Sequence, residues 1–176
     1  MKKNGSFLAI AFLLFASPAF AGDVTLFGGF QREGKLTLKS AASSAGSFTT
    51  NPTSFSTFGL RFGKAKTVGT ESTFAYTSNF IDGSAKALIL NQNLMIQAPT
   101  PVVKPYLTAG IGTIIKKGKS ITGIGSRFAV NYGGGVKLKV AGPLGLRLDT
   151  RGYVIPGVQG QTLKVLEVSL GIGFGF

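Results

Sequence analysis

Arg147, Asp149 and Arg151 stand at alternate positions of one short segment, and Glu167 holds a similar place in the next. A carboxylate pair such as Asp149 and Glu167 has the functional groups for general acid and base catalysis. The neighbouring arginines offer a simpler reading, in which both acids are ion-pair partners of Arg147 and Arg151. Other chemistry is excluded by composition. The 176 residues include no His and no Cys, so there is no Ser-His-Asp or Cys-His nucleophile, no histidine-liganded zinc or haem, and no disulfide framework. The clusters Gly110-Ile111-Gly112, Gly123-Ile124-Gly125 and Gly133-Gly134-Gly135 do not continue into the glycine-rich turn and helix of a dinucleotide site, nor into a phosphate loop. A formal charge of +13 raises nucleic acid as a partner, but no interleaving of basic and aromatic residues matches a recognised binding module. Neither a cofactor nor a nucleic-acid partner is expected.

The elements that carry these side chains are strands. From Leu166 to the end, every even position is bulky and apolar (Leu166, Val168, Leu170, Ile172, Phe174, Phe176), while Glu167, Ser169, Gly171, Gly173 and Gly175 lie between. Period two marks a strand with one greasy face and one small or polar face. The same code governs Leu144, Leu146, Leu148, Thr150 and Val154 against Gly145, Arg147, Asp149, Arg151 and Tyr153. It continues through Phe128 to Val140, Leu107 to Ile115, Leu88 to Ile96, Phe74 to Phe80 and Phe58 to Phe62. The opening segment, about Val24 to Ser40, is irregular: Phe27 and Phe30 fall on opposite faces, and Gly28-Gly29 suggests a bulge. Eight strands result. They are separated by Ser40 to Thr53, Ala65 to Gly69, Ile81 to Lys86, Ala98 to Lys104, Lys117 to Ser126, Ala141 to Pro143 and Ile155 to Gln161.

Eight antiparallel strands close into a soluble barrel, a sandwich or a transmembrane barrel, and the faces decide among them. A soluble barrel carries charge outside; here the polar face is mostly glycine, serine, alanine and threonine, a poor surface for water. Small residues fit the inside of an eight-stranded barrel, which side chains just fill. The Leu, Val, Ile and Phe face then meets lipid, and closure leaves no unpaired backbone edge. The expected fold is therefore an all-β, eight-stranded antiparallel up-and-down transmembrane barrel. Glu33, Glu71, Asp149 and Glu167 fall on lumen positions, as do Arg61, Arg127, Lys137, Arg147 and Arg151. Because buried charge is costly unless paired, we expect Glu33, Arg61, Glu71, Arg127, Arg147, Asp149, Arg151 and Glu167 to form an ionic network that plugs the barrel.

At the amino end, Lys2 and Lys3 precede an apolar run from Phe7 to Phe15 and then Ala16-Ser17-Pro18-Ala19-Phe20-Ala21. These are the parts of a secretory signal with a small-x-small cleavage site, and the run is too short for a spanning helix. Residues 1–21 are expected to be removed, leaving 22–176 as one barrel domain of formal charge +11, with 17 basic and 6 acidic residues. A secreted chain without cysteine is bacterial in style.

The ending Leu170-Gly171-Ile172-Gly173-Phe174-Gly175-Phe176 resembles the terminal signature of bacterial outer-membrane barrels, which implies that the barrel assembly machinery reads Phe176. Lys104 to Gly112, Phe128 to Lys137 and Leu144 to Arg151 resemble the small outer-membrane β-barrel domain family, relatives of the outer-membrane protein A barrel. The likeness is sharp over about Lys104 to Phe176 and departs in the first half. It implies an outer-membrane location, both termini in the periplasm and long loops outside. Lys39, Lys86, Lys116, Lys117, Lys119 and Lys164 would then form a positive collar at the height of lipid phosphates. Outer-membrane lipid, including lipopolysaccharide, is the expected contact, and a monomer the expected state. Similar barrels include lipid A acyltransferases and deacylases, but the resembling hydrolases depend on a histidine. The leading function is a non-catalytic barrel serving envelope structure or surface contact; the alternatives are a narrow pore and a lipopolysaccharide-contacting or adhesion barrel.

Overall fold

A computed structural model of the protein describes residues 22–34, 37–39, 47–49, 54–78, 86–117, 126–158 and 161–175. The expected signal segment and Phe176 lie outside them. Ten strands run in chain order: β1 (Asp23–Glu33), β2 (Thr37–Lys39), β3 (Ser47–Thr49), β4 (Ser54–Ala65), β5 (Val68–Thr77), β6 (Lys86–Gln97), β7 (Val103–Lys117), β8 (Arg127–Ala141), β9 (Leu144–Val158) and β10 (Gln161–Phe174). Eight of them form a closed barrel in the order β1-β10-β9-β8-β7-β6-β5-β4, and every pairing is antiparallel. Closure is made by β1 against β10, with Gly28 opposite Leu170 and Gln31 opposite Glu167. The remaining two, β2 and β3, make a small hairpin between β1 and β4.

Alternation sets which way each side chain looks. Leu26, Phe30, Leu107, Leu148, Leu170 and Ile172 are all exposed on the outer wall, while Thr25, Arg61, Glu71, Asn131, Asp149 and Glu167 are buried inside. One polar pair interrupts the outer belt: Ser72 and Gln92 are cross-strand partners, and the Ser72 hydroxyl donates to Gln92 Oε1 at 2.5 Å. Pairing of this kind is what an apolar solvent demands of a polar group. No helix among the described residues is long and apolar enough to cross a membrane, and crossing by strands needs none.

Three features differ from the sequence expectation. Register runs without interruption through Gly28 and Gly29 on both sides of β1, so there is no bulge. The reason for Gly29 is close approach, since a Cβ there would meet Ser169 Cβ at 2.6 Å. The opening segment also stops at Glu33, and the stretch read as a loop, Ser40 to Thr53, contains β3 of the small hairpin. Finally, β9 and β10 extend to Val158 and from Gln161, shortening the loop expected over Ile155 to Gln161. Ile155 is buried inside the barrel beside Leu163 and Val165, and that burial carries the strands further.

Connections divide the barrel into two ends. At the turn end, β4–β5, β6–β7 and β8–β9 are joined by short turns, the last through Gly142, whose φ of +54° is left-handed and suits glycine. At the loop end lie the longer connections after β1, β5 and β7.

Candidate functional site

Three arginines and three carboxylates converge at mid-height in the lumen. Arg61, projecting inward from β4, places Nη1 2.7 Å from Asp149 Oδ2 and Nη2 2.6 Å from Glu167 Oε1. Arg147 lies 2.5 Å from Glu71 Oε2 through Nη2 and 2.8 Å from Asp149 Oδ2 through Nε. Arg151 Nη2 bridges Glu71 Oε1 at 2.5 Å and Asp149 Oδ1 at 3.1 Å. All six side chains are at most 1% exposed. Such burial is tolerable because the charges balance and each ion is held by several partners.

Neutral groups complete the cluster. The Tyr106 hydroxyl donates to Asp149 and accepts from Arg147 Nε at 2.9 Å. Glu167 Oε2 accepts from Gln31 Nε2 at 2.6 Å and from the Tyr153 hydroxyl at 3.2 Å. The Arg61 guanidinium lies over the Phe27 ring, 3.7 Å from its centre, an arrangement that stabilises a desolvated cation. Below this cluster, at the turn end, Lys137 Nζ sits 2.7 Å from Asp23 Oδ2. Above it, toward the loop end, the lumen is mainly hydrocarbon, filled by Ile89, Ile114, Ile155, Leu163 and Val165 with Phe55 and Ala129, and the buried Glu33 lies at the height of Val165.

Of the eight residues expected in the network, six meet. Glu33 is buried at the loop end of β1, and Arg127 is half-buried at the loop end of β8; neither reaches the central six, because each sits at the far end of its strand. The partner of Glu167 is also a correction. Arg151 stands directly opposite it in the β9–β10 ladder, yet Arg151 crosses the lumen to Glu71, and Glu167 pairs with Arg61. Sequence reasoning missed Asp23, Tyr106, Gln31 and Tyr153. Inward parity within each strand was the available signal for all four, but none carries a mark of its partner.

The sequence matches the outer membrane protein beta-barrel domain family over residues 7–176. The chain belongs to that family. It is therefore an outer-membrane barrel, and solved structures agree on the fold. Neisserial surface protein A superposes with a TM-score of 0.64 at 17% identity, covering 89% of this chain and 98% of that one. OprG from Pseudomonas aeruginosa gives 0.54 at 13% identity over 88% and 95%. The outer membrane enzyme PagL gives 0.51 at 15% identity over 86% and 98%. Among curated proteins, none matches this sequence.

Charge also gathers at the barrel ends. Asp23, Glu33, Glu71, Asp149 and Glu167, five of the six acids, are buried inside, so the ends are left with an excess of lysine and arginine. Lys86 and Lys164 are exposed near the loop end. Lys117 is the ladder partner of Lys86, and Lys116 lies opposite Ala87. For Lys39, Lys116 and Lys117 only the backbone is described, and Lys119 lies outside the described residues.

Proposed function

We propose that this protein is a closed, non-catalytic structural barrel of the outer membrane. In this reading residues 1–21 are removed on export, the assembly machinery reads Phe176, and the monomer stands with its loop end outside and its turn end in the periplasm. The observation that carries the reading is the filled lumen: an electroneutral cluster of six ions at mid-height, beneath an apolar layer. A continuous water path through an eight-stranded barrel needs both layers displaced, and the interior of such a barrel is only wide enough for its own side chains. Non-catalysis is supported by the state of the two acids with the best claim to acid/base work. Asp149 is engaged by Arg61, Arg147, Arg151 and Tyr106, and Glu167 by Arg61, Gln31 and Tyr153. No histidine exists to replace them.

At the loop end, the basic collar faces the phosphates of outer-leaflet glycolipid, the anionic surface such a rim would meet. Planar-bilayer recording on the refolded protein tests closure. Current at or below the lipid baseline is the expected result; discrete channel openings would favour a narrow pore instead. Orientation is tested by maleimide labelling of intact cells carrying Lys86→Cys, which should react, against Thr100→Cys in a turn, which should not.

A further inference from the structure

The outer wall of β8, β9 and β10 carries a notch. Two neighbouring rows of outward positions cross it. One runs Leu107, Gly134, Thr150, Val168, and the other Tyr132, Gly152, Leu166, Arg32. At their centre these rows present glycine, glycine and threonine side by side. The glycines bring backbone and rings close: a Cβ at Gly134 would meet the Tyr106 carbonyl oxygen at 2.8 Å, and one at Gly152 would meet Tyr132 Cζ at 3.0 Å. The result is a shallow depression of about 560 Å³ floored by Gly134 and Thr150 and walled by Leu107, Leu166 and the Tyr132 ring, whose tip lies against Gly152.

This depression continues toward the loop end. A second one, of about 310 Å³, shares Tyr132, Gly152 and Leu166 with the first and is bordered by Arg32 and Lys164. Both cations are exposed on the outside of the wall. Arg32 is the ladder partner of Leu166, and the Lys164 carbonyl accepts from Gly34 N at 2.8 Å, which sets Lys164 at the same height. Glu33, the one acid on the lining, is turned inward and is only 4% exposed. Apolar space below and two cations above reproduce, in relief, the shape of a phosphorylated lipid standing in the leaflet.

We propose that this groove holds a phosphorylated acyl-glycolipid of the outer leaflet, an acyl chain lying over Gly134 and Thr150 beside the Tyr132 ring and a phosphate between Arg32 and Lys164. The assignment to that leaflet rests on the orientation given under Proposed function. Phosphate and acyl chain are read by different residues, so they are separable by substitution. Thr150→Phe fills the depression with an outward side chain that suits lipid, and Thr150→Leu does so with less bulk. Arg32→Gln with Lys164→Gln removes the phosphate partners and leaves the floor untouched.

The experiment titrates detergent-solubilised, refolded barrel with bisphosphorylated lipid A, with its dephosphorylated form and with phosphatidylglycerol, counting bound lipid by native mass spectrometry. Wild type should prefer the bisphosphorylated form at least about tenfold over either other lipid. The double glutamine variant should lose that preference while keeping its weak binding of the dephosphorylated form, and the Thr150 variants should lose both. Lys139→Gln, exposed at the opposite, turn end of β8, should bind as wild type. Equal binding of phosphatidylglycerol, or wild-type affinity in both the charge and Thr150 variants, overturns the groove. Channel openings with the lipid preference intact would overturn the closed-barrel reading above and spare this one, whereas reversed cell labelling would overturn the outer-leaflet assignment of the groove as well. The heat-modifiable gel shift confirms that each variant compared is folded.

Discussion

Two layers of the same lumen solve the packing problem in opposite ways. At mid-height, Arg61, Glu71, Arg147, Asp149, Arg151 and Glu167 fill space with mutually neutralising ions. Toward the loop end, Ile89, Ile114, Ile155, Leu163 and Val165 fill it with hydrocarbon. Both are buried equally well, so burial does not distinguish them; the response to losing one member does. Hydrocarbon stabilises through area and contact, each side chain contributing roughly on its own. Ions in a dry interior stabilise one another, and a lone survivor is a liability. The mid-lumen layer therefore has to be kept whole, whereas the upper layer can be eroded residue by residue.

The sharpest break of that contrast is Arg61→Met. It leaves Asp149 with two arginines and Glu167 with neutral donors alone, and a buried charge stripped of its partner costs about 3–5 kcal/mol. Urea unfolding from lipid vesicles should show a loss of that size. Adding Glu167→Gln removes the stranded charge, so the double variant should be more stable than Arg61→Met alone. If the two losses simply add, the ions are not coupled and the contrast between layers is void.

Next in size is Leu163→Ala in the apolar layer. Leu163 is fully buried, and truncating a buried leucine costs about 2–5 kcal/mol, depending on how far its surroundings relax. Combined with a substitution at Ile114, in the same buried cluster, the loss should deepen further, any coupling staying within the about 0.5–3 kcal/mol of residues that share a cavity. A double variant more stable than Leu163→Ala alone would mean that the upper layer also behaves as a unit.

These layers were not equally legible in the sequence. Alternation identified the barrel and the lumen face of Arg61, Glu71, Arg147, Asp149, Arg151 and Glu167, because lipid requires bulk on one side and a narrow interior requires small or paired groups on the other. In the upper layer the code fails. Ile114 precedes Ile115, Ile89 lies between Leu88 and Leu90, and Val165 precedes Leu166, so both faces read as apolar and the inward residue is unmarked. Pairing inside the lumen was also hidden. It is set by the curvature and stagger of the closed sheet, which bring Arg61 to Glu167 across the barrel while Arg151, the ladder neighbour, reaches elsewhere. At Gly29 the same closeness of strands was mistaken for a bulge, since a glycine required by a neighbour looks like one required by its own backbone. The β2–β3 hairpin is three residues a side, too short for periodicity to register.

A second comparison sets the lumen as a whole against the lipid face, and here position along the strand grades the effect. Leu146, exposed on the outer wall of β9, is flanked by inward Gly145 and Arg147. Leu146→Arg puts an unpaired cation against hydrocarbon, at about 2–4 kcal/mol near the midplane and about 0–1 kcal/mol near the interface. Leu146 lies only two positions beyond the start of β9 at the turn end, so the lower part of the range applies, and a long side chain there reaches the headgroups. Leu148→Arg, one outward step deeper, should cost more, and the difference between the two measures depth in the bilayer directly. Refolding into vesicles with thicker hydrocarbon should widen the loss at Leu146 by moving it away from the interface. A cost at Leu146 equal to that at Leu148 in both bilayers would mean that the outer wall does not meet a graded apolar slab, and the outward reading of the bulky face would fall with it.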